Sequence, residues 1–289
     1  MIRIDRGDEP AELRVIRDEH LQNAIAKFDQ FGPGSMQLSN ALVGYDVVKK
    51  ALHGRQHRKC AYCERAPGFD GQPVEHFRPK KLALRRVKGR LVKDHERYWW
   101  LTWTWSNLLF ACTTCNGPKR KGSHFPLESG TVPLPAPSRP ASRSLPAVHF
   151  QVAVERPLLL DPSDCNVDPL EHLRWLPIDR TLPRSLWKWE LRGLTTRGAW
   201  TKKVLGLGNL ADEIDHRYRD TVWPRFHHEV ERVTGRKTRD QVISTWDKLV
   251  RDVVHRSHPF TAATWSMLDV LRESTVGLRR LQIPAPPRP

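Results

Sequence analysis

The chain has 289 residues, 39% of them hydrophobic, enough for one large buried core or two small ones. Its 48 Lys/Arg outweigh 32 Asp/Glu, a formal net charge of +16, so a polyanionic partner is expected, nucleic acid ahead of an anionic membrane. No apolar run is long enough for a membrane span and no apolar leader follows Met1, which points to a cytoplasmic protein with reduced thiols.

Residues 8–29 read as a first helix. Asp8 can cap it, Pro10 fits its first turn, and Leu13, Ile16, Leu21, Ile25 and Phe28 form an apolar stripe. Phe31-Gly32-Pro33-Gly34 ends it, and a second helix is expected over 40–56, with Leu42, Tyr45, Val48 and Leu52 on one side. These N-terminal helices, residues 1–57, should pack on the segment that follows. There, Cys60-Ala61-Tyr62-Cys63 and Cys112-Thr113-Thr114-Cys115 have the spacing of a four-thiolate zinc site. Each turn supplies two sulfurs, and two turns complete a tetrahedron. Cys165, the fifth cysteine, reads as a free thiol.

Inside this frame lie Glu75-His76 and Asn107, and Asn116 follows Cys115 directly, at an expected helix start. A histidine base, a carboxylate and amide oxygens brought together would suit a hard divalent ion and a phosphodiester. Residues 80–97 interrupt the frame with Lys80, Lys81, Arg85, Arg86, Lys88 and further cations. Residues 55–121 hold 16 Lys/Arg against 5 Asp/Glu, so most of the net charge sits here. Trp99, Trp100, Trp103 and Trp105 crowd into seven residues. They are read as the core of a small module rather than a base-stacking platform. Lys119-Arg120-Lys121 is expected on the same final helix as Asn116.

Six prolines between 126 and 146 mark a linker, residues 127–147. Val148, Phe150, Val152 and Val154 then alternate as in a strand over 148–160. Asp161, Asp164, Asp168, Glu171 and His172 read as an Asp-Pro turn and a helix cap before they read as a second metal site. Helices are expected from Thr195 to Leu205, over 210–233 with a kink at Pro224, over 237–255 and over 260–273. Residues 148–280 are therefore a mainly helical domain, and the proline-rich tail 281–289 is expected to be disordered.

The order C-x-x-C, Glu-His-x-x-Pro, Ser-Asn-Leu-Leu, C-x-x-C-Asn-x-x-Lys over residues 58–126 resembles the HNH endonucleases of the ββα-metal fold. More narrowly, Lys59–Glu64, Glu75–Lys80, Trp105–Leu109, Cys115–Lys119 and Leu158–Pro162 resemble the HNH proteins of anti-phage defence operons of the retron and Septu kind. The naming letters fall on His76, Asn107 and Asn116, the last an asparagine where the family name has histidine. The resemblance implies an α+β fold, a zinc-stapled ββα-metal nuclease module in a mostly α-helical chain. It implies catalytic His76, Asn107 and Asn116, with Glu75 and Asn116 holding Mg²⁺ or Mn²⁺. It also implies an ATPase partner encoded in the same operon, for which the helical half is the natural docking surface.

In this scheme His76 is the general base, since its ordinary pKa suits proton abstraction at neutral pH. Asn107 orients the loop that carries His76. Zinc on Cys60, Cys63, Cys112 and Cys115 is structural, because four thiolates leave no open position. Arg78, Lys80, Lys81, Arg85, Arg86, Lys119, Arg120 and Lys121 are the expected phosphate contacts. Two other readings compete: a zinc ribbon that binds nucleic acid without cutting it, and an interaction protein stapled by zinc. The zinc ribbon gives no reason for Glu75-His76, Asn107 and Asn116 together, whereas the resemblance joins the nuclease and interaction readings through the ATPase partner.

Overall fold

The computed structural model describes residues 1–87, 90–95, 97–141 and 145–289, with the backbone alone at Arg86 and Val87. The described residues mix helices with three two-stranded antiparallel sheets. They form two compact units: residues 4–62 with 66–167, and residues 168–289 with 1–3 and 63–65. Among them no helix is long and apolar enough to cross a membrane.

The first unit opens with α1 (Ala11–Phe31), which buries Leu13, Ala24, Ile25 and Phe28. Its N-cap is Pro10, without a side-chain cap bond, so Asp8 does not play the expected part. The helix expected over 40–56 is broken into α2 (Met36–Ala41), a 3₁₀ turn (Tyr45–Val48) and α3 (Lys49–Arg55). Gly44 is the reason. Its φ is +84°, and a Cβ there would lie 2.7 Å from His20 Nε2, so the chain turns where only glycine fits.

Next come β1 (Val74–His76), the hairpin β2 (Ala83–Val87) and β3 (Arg90–Asp94), then β4 (Leu108–Phe110) and the one-turn α4 (Thr113–Asn116). β1 pairs with β4, His76 opposite Leu108. Strands of three residues are too short to hold each other, and side chains complete them. The Gln56 amide donates to Phe110 O at 2.7 Å and accepts from Phe110 N at 2.8 Å. The Arg6 guanidinium donates to Trp105 O at 2.6 Å and to Leu108 O. Trp99, Trp100 and Trp103 are each 1% exposed. They are core, as expected, and offer no face to a base.

The alternating residues 148–154 do not form the expected strand. They make two 3₁₀ turns, Ala147–Phe150 and Val152–Val154, with Val148 and Val154 exposed. The pull on this segment comes from Glu155, whose buried carboxylate accepts from Arg78 Nε at 2.8 Å, Tyr98 Oη at 2.7 Å and Leu134 N at 2.8 Å. The segments on either side of the proline-rich stretch are bonded to each other. Leu158 N donates to Pro126 O and Glu128 N to Arg156 O, both at 2.9 Å. The expected boundary at 127–147 thus falls inside this unit.

In the second unit α5 (Pro169–His172) leads into the hairpin β5 (Leu173–Pro177) and β6 (Trp189–Gly193). The helix α6 (Thr196–Leu205) packs against it, capped by Thr195. A Cβ on Gly198 would lie 1.9 Å from His172 O, so this close approach requires glycine. α7 (Ala211–Arg217) and α8 (Trp223–Arg225) are flanked by π-turns at Tyr218–Val222 and Phe226–Val230, a wider register around Pro224 in place of a sharp kink. α9 (Arg239–Val253), with a Thr238/Gln241 capping box, and the buried α10 (Thr261–Ser274) fall where expected, followed by α11 (Val276–Arg280). The proline-rich tail does not trail free: Trp265 Nε1 donates to Pro286 O at 2.9 Å and Arg288 pairs with Asp168.

Glu155→Leu strands three buried donors at once. It is expected to lower stability by about 3–5 kcal/mol, the usual consequence of orphaning a buried ion pair. A urea titration followed by tryptophan fluorescence, whose midpoint should fall, checks this.

Candidate functional site

The four thiols of Cys60, Cys63, Cys112 and Cys115 are buried, and their sulfurs lie within 4.8 Å of one another. Among the described residues they are the one group of three or more Cys, His, Asp or Glu ligands close enough to share an ion. Local backbone geometry presents them. Cys112 caps α4 and its sulfur accepts from Cys115 N at 3.4 Å, while Ala61 N donates to Phe110 O and ties the first turn to β4. Four thiolates in one dry pocket would repel without a cation, and the set is that of structural zinc. The acidic group at 161–172 makes no such cluster. Asp161 closes a turn on Ser163, and Asp168 caps α5 through Leu170 N.

His76 ends β1 and is 6% exposed. Its Nε2 lies 3.0 Å from Thr102 O, an acceptor only, so Nε2 is the protonated nitrogen and Nδ1 carries the lone pair. Burial, with Lys80 and Lys121 nearby, pushes the imidazole well below its ordinary pKa against the opposing Thr102 bond. The ring is therefore neutral at pH 7, with a defined basic nitrogen. The Tyr45 ring meets it edge-on at 4.5 Å between centroids. Asn107 is 2% exposed, and its carboxamide accepts from Arg78 N at 2.7 Å and donates to Arg78 O at 3.1 Å and Leu101 O at 3.2 Å. It satisfies both backbone groups of a residue just past His76, beyond the reach of the short ladder.

Asn116 is the last residue of α4, not the start of a longer helix, and is half-buried. Glu75 is 3% exposed, and its Oε1 lies 2.5 Å from Lys121 Nζ. Burial pushes the carboxyl up, and the ammonium pulls it back. A carboxylate and an amide oxygen are the donors a magnesium or manganese ion takes, so the chemistry fits, but Glu75 already shares its charge with Lys121.

The expected phosphate contacts divide. Lys119 and Lys81 are exposed, and Arg120 is half-buried. Arg85 pairs with Asp94 at 2.5 Å on the β2–β3 hairpin. Arg78 is turned inward to Glu155, and Lys121 is fully buried. Lys119–Lys121 lie in turns past α4, because the helix stops after one turn. Lys80 is half-buried, its Nζ 3.5 Å from the Tyr45 ring centroid and donating to Leu42 O at 3.1 Å. The side chain of Arg86, and Lys88 altogether, lie outside the described residues. Tyr45 and Thr102 are site residues that sequence reasoning missed. Tyr45 comes from the segment Gly44 turns, and Thr102 acts through its main chain, which no side-chain pattern reveals.

The chain is similar to a Septu protein. It is 30% identical over 179 residues to the Septu protein PtuB of Bacillus mycoides (strain KBAB4), a match covering 61% of this chain and 55% of that relative. The chain thus spans about half the length of the curated relative it matches. No family model and no solved structure matches it.

Two outcomes follow. Purified protein should carry about one zinc per chain, and Cys112→Ser should be insoluble or molten, because structural zinc binding is coupled to folding; folded protein free of zinc by metal analysis contradicts this. The second concerns Lys80, whose pKa is lowered by burial from 10.5 to about 7. Above pH 7 the unfolded chain then holds a proton that the folded chain has released, so stability rises with pH. The burial penalty is fully present below pH 7 and fades as pH climbs towards 10.5. Relative to Lys80→Met, the wild-type denaturation midpoint should gain between pH 7 and pH 9; a constant difference contradicts the assignment.

Proposed function

We propose that this protein is a metal-dependent endonuclease of the HNH type, hydrolysing phosphodiester bonds in nucleic acid, DNA by preference, as the effector of an anti-phage defence system. The observation that carries the reading is His76, a buried imidazole held in one tautomer by Thr102 O, which leaves Nδ1 as its proton-accepting nitrogen. A neutral imidazole nitrogen can take a proton from water at neutral pH, and the burial that keeps it neutral also makes it a weaker base than an exposed histidine. Similarity to a Septu protein supports the defence role. By the same resemblance, an ATPase from the same operon is the proposed partner.

Mg²⁺ or Mn²⁺ held by Glu75 and Asn116 would supply charge neutralisation at the phosphate. His76 Nδ1 takes the proton of the attacking water. Thr102 O keeps the ring from turning, and Asn107 holds the backbone after His76 in place. Lys81, Lys119 and Arg120 steer the polyanion through unspecific phosphate contacts. Zinc on the four cysteines would hold the Cys60–Cys63 turn against β4 and α4 and take no part in the reaction.

His76→Ala should leave zinc content intact and lower cleavage by about 10²–10⁴-fold, the usual share of a general base. Asn116→Ala should also cut poorly but recover partly in excess Mn²⁺, because a lost ligand lowers metal affinity whereas a lost base does not. A Mn²⁺ titration of both variants on plasmid DNA checks this. Equal rescue of the two would move His76 among the metal ligands.

A further inference from the structure

Lys121 was expected to face a phosphate on a helix surface, and the structure gives it a different surrounding. Its side chain is fully buried. Nζ lies 2.5 Å from Glu75 Oε1 and donates to His76 O at 2.6 Å. One carboxylate and one main-chain carbonyl, both inward-facing, form an oxygen-lined place for a cation, and an ammonium fills it. These are also the donor types a hard divalent ion selects. A buried carboxylate without a counter-charge is strongly disfavoured, so Lys121 answers a need that Glu75 creates wherever no other cation is bound.

Two cations cannot share one buried carboxylate at contact distance without strong repulsion. We propose that Lys121 is the resident counter-ion of Glu75, and that a divalent ion loads at Glu75 by exchange, displacing the Lys121 ammonium. The proposal rests on the metal-dependent reading and adds a regulatory consequence: the resting protein holds its catalytic metal weakly. Lys121 N donates to Cys115 O at 3.1 Å, so the backbone at Lys121 is tied to the second cysteine turn, and in the exchange it is the side chain that leaves. No covalent step is involved; one cation replaces another.

Two measurements test it. The first uses the wild-type protein and amine acetylation read by peptide mass spectrometry. Lys121 should be protected without added ion and become labelled at Mn²⁺ concentrations that fill the site. The exposed Lys119, two residues away, should be labelled throughout and serves as the internal control. The second is Mn²⁺ binding by electron paramagnetic resonance, with the Glu75 site defined as the binding lost in Glu75→Gln. Lys121→Met should bind Mn²⁺ at that site about tenfold more tightly or better, since a competing charge is gone. If that variant fails to fold, the labelling result decides alone.

A Glu75-dependent Mn²⁺ site with Lys121 still protected overturns the exchange and leaves the nuclease reading standing. Weaker Mn²⁺ binding by folded Lys121→Met also overturns it, and makes Lys121 the residue that positions Glu75. Absence of any Glu75-dependent Mn²⁺ site overturns both the exchange and the metal assignment in the proposed function.

Discussion

Four sulfurs brought within 4.8 Å of one another are the constraint on which the candidate site rests. The two cysteine turns bracket a long excursion of chain, and closing a loop of that length is entropically unfavourable. A tetrahedral metal ion on these sulfurs would offset that cost, and in doing so would set β4 and α4 against the first turn. The strands themselves could not do this. Each is three residues long, and together they make too few ladder bonds to persist in water. The remaining backbone groups are taken up by side chains: Gln56 on Phe110, Arg6 on Trp105 and Leu108, Asn107 on Arg78. Polar side chains here act as missing strands.

Much of this was legible in the sequence, and the part that was not has a common cause. Cysteine spacing is a local pattern with few alternatives, and the stripes of α1, α9 and α10 are periodic, so all of these could be read directly. The burial of four crowded tryptophans followed from the size of the module. The helix over 40–56 failed at Gly44 because its left-handed φ and its contact with His20 are tertiary facts. The strand over 148–160 failed because alternation needs a neighbouring strand, whereas this segment is drawn in by the Glu155 carboxylate. Charge was hardest to read. Arg78, Lys80 and Lys121 look alike on paper to Lys81 and Lys119, and only long-range partners such as Glu155, Tyr45 and Glu75 separate interior cations from surface ones.

That separation changes the electrostatic picture. A surplus of basic residues over 55–121 suggests one continuous phosphate-binding face. In the structure several of those charges are neutralised inside, and the share left to attract a polyanion is smaller and more local. The interior cations act instead on the chemistry. Burial lowers the pKa of His76 most, and Lys80 and Lys121 lower it further, so residues that would have been counted as grip help keep that imidazole unprotonated.

The Gln56 amide has a consequence for where the module ends. It lies four residues before the first cysteine, outside the motif, yet it makes two of the bonds along the free edge of β4, donating to Phe110 O and accepting from Phe110 N. A fragment designed from the motif alone, starting at Cys60, would keep every thiol and every candidate catalytic side chain. It would nonetheless leave Phe110 N and Leu108 O on that strand edge without the Gln56 and Arg6 side chains, a template for pairing with another molecule. The smallest piece carrying the chemistry and the smallest piece able to stay monomeric are therefore different pieces.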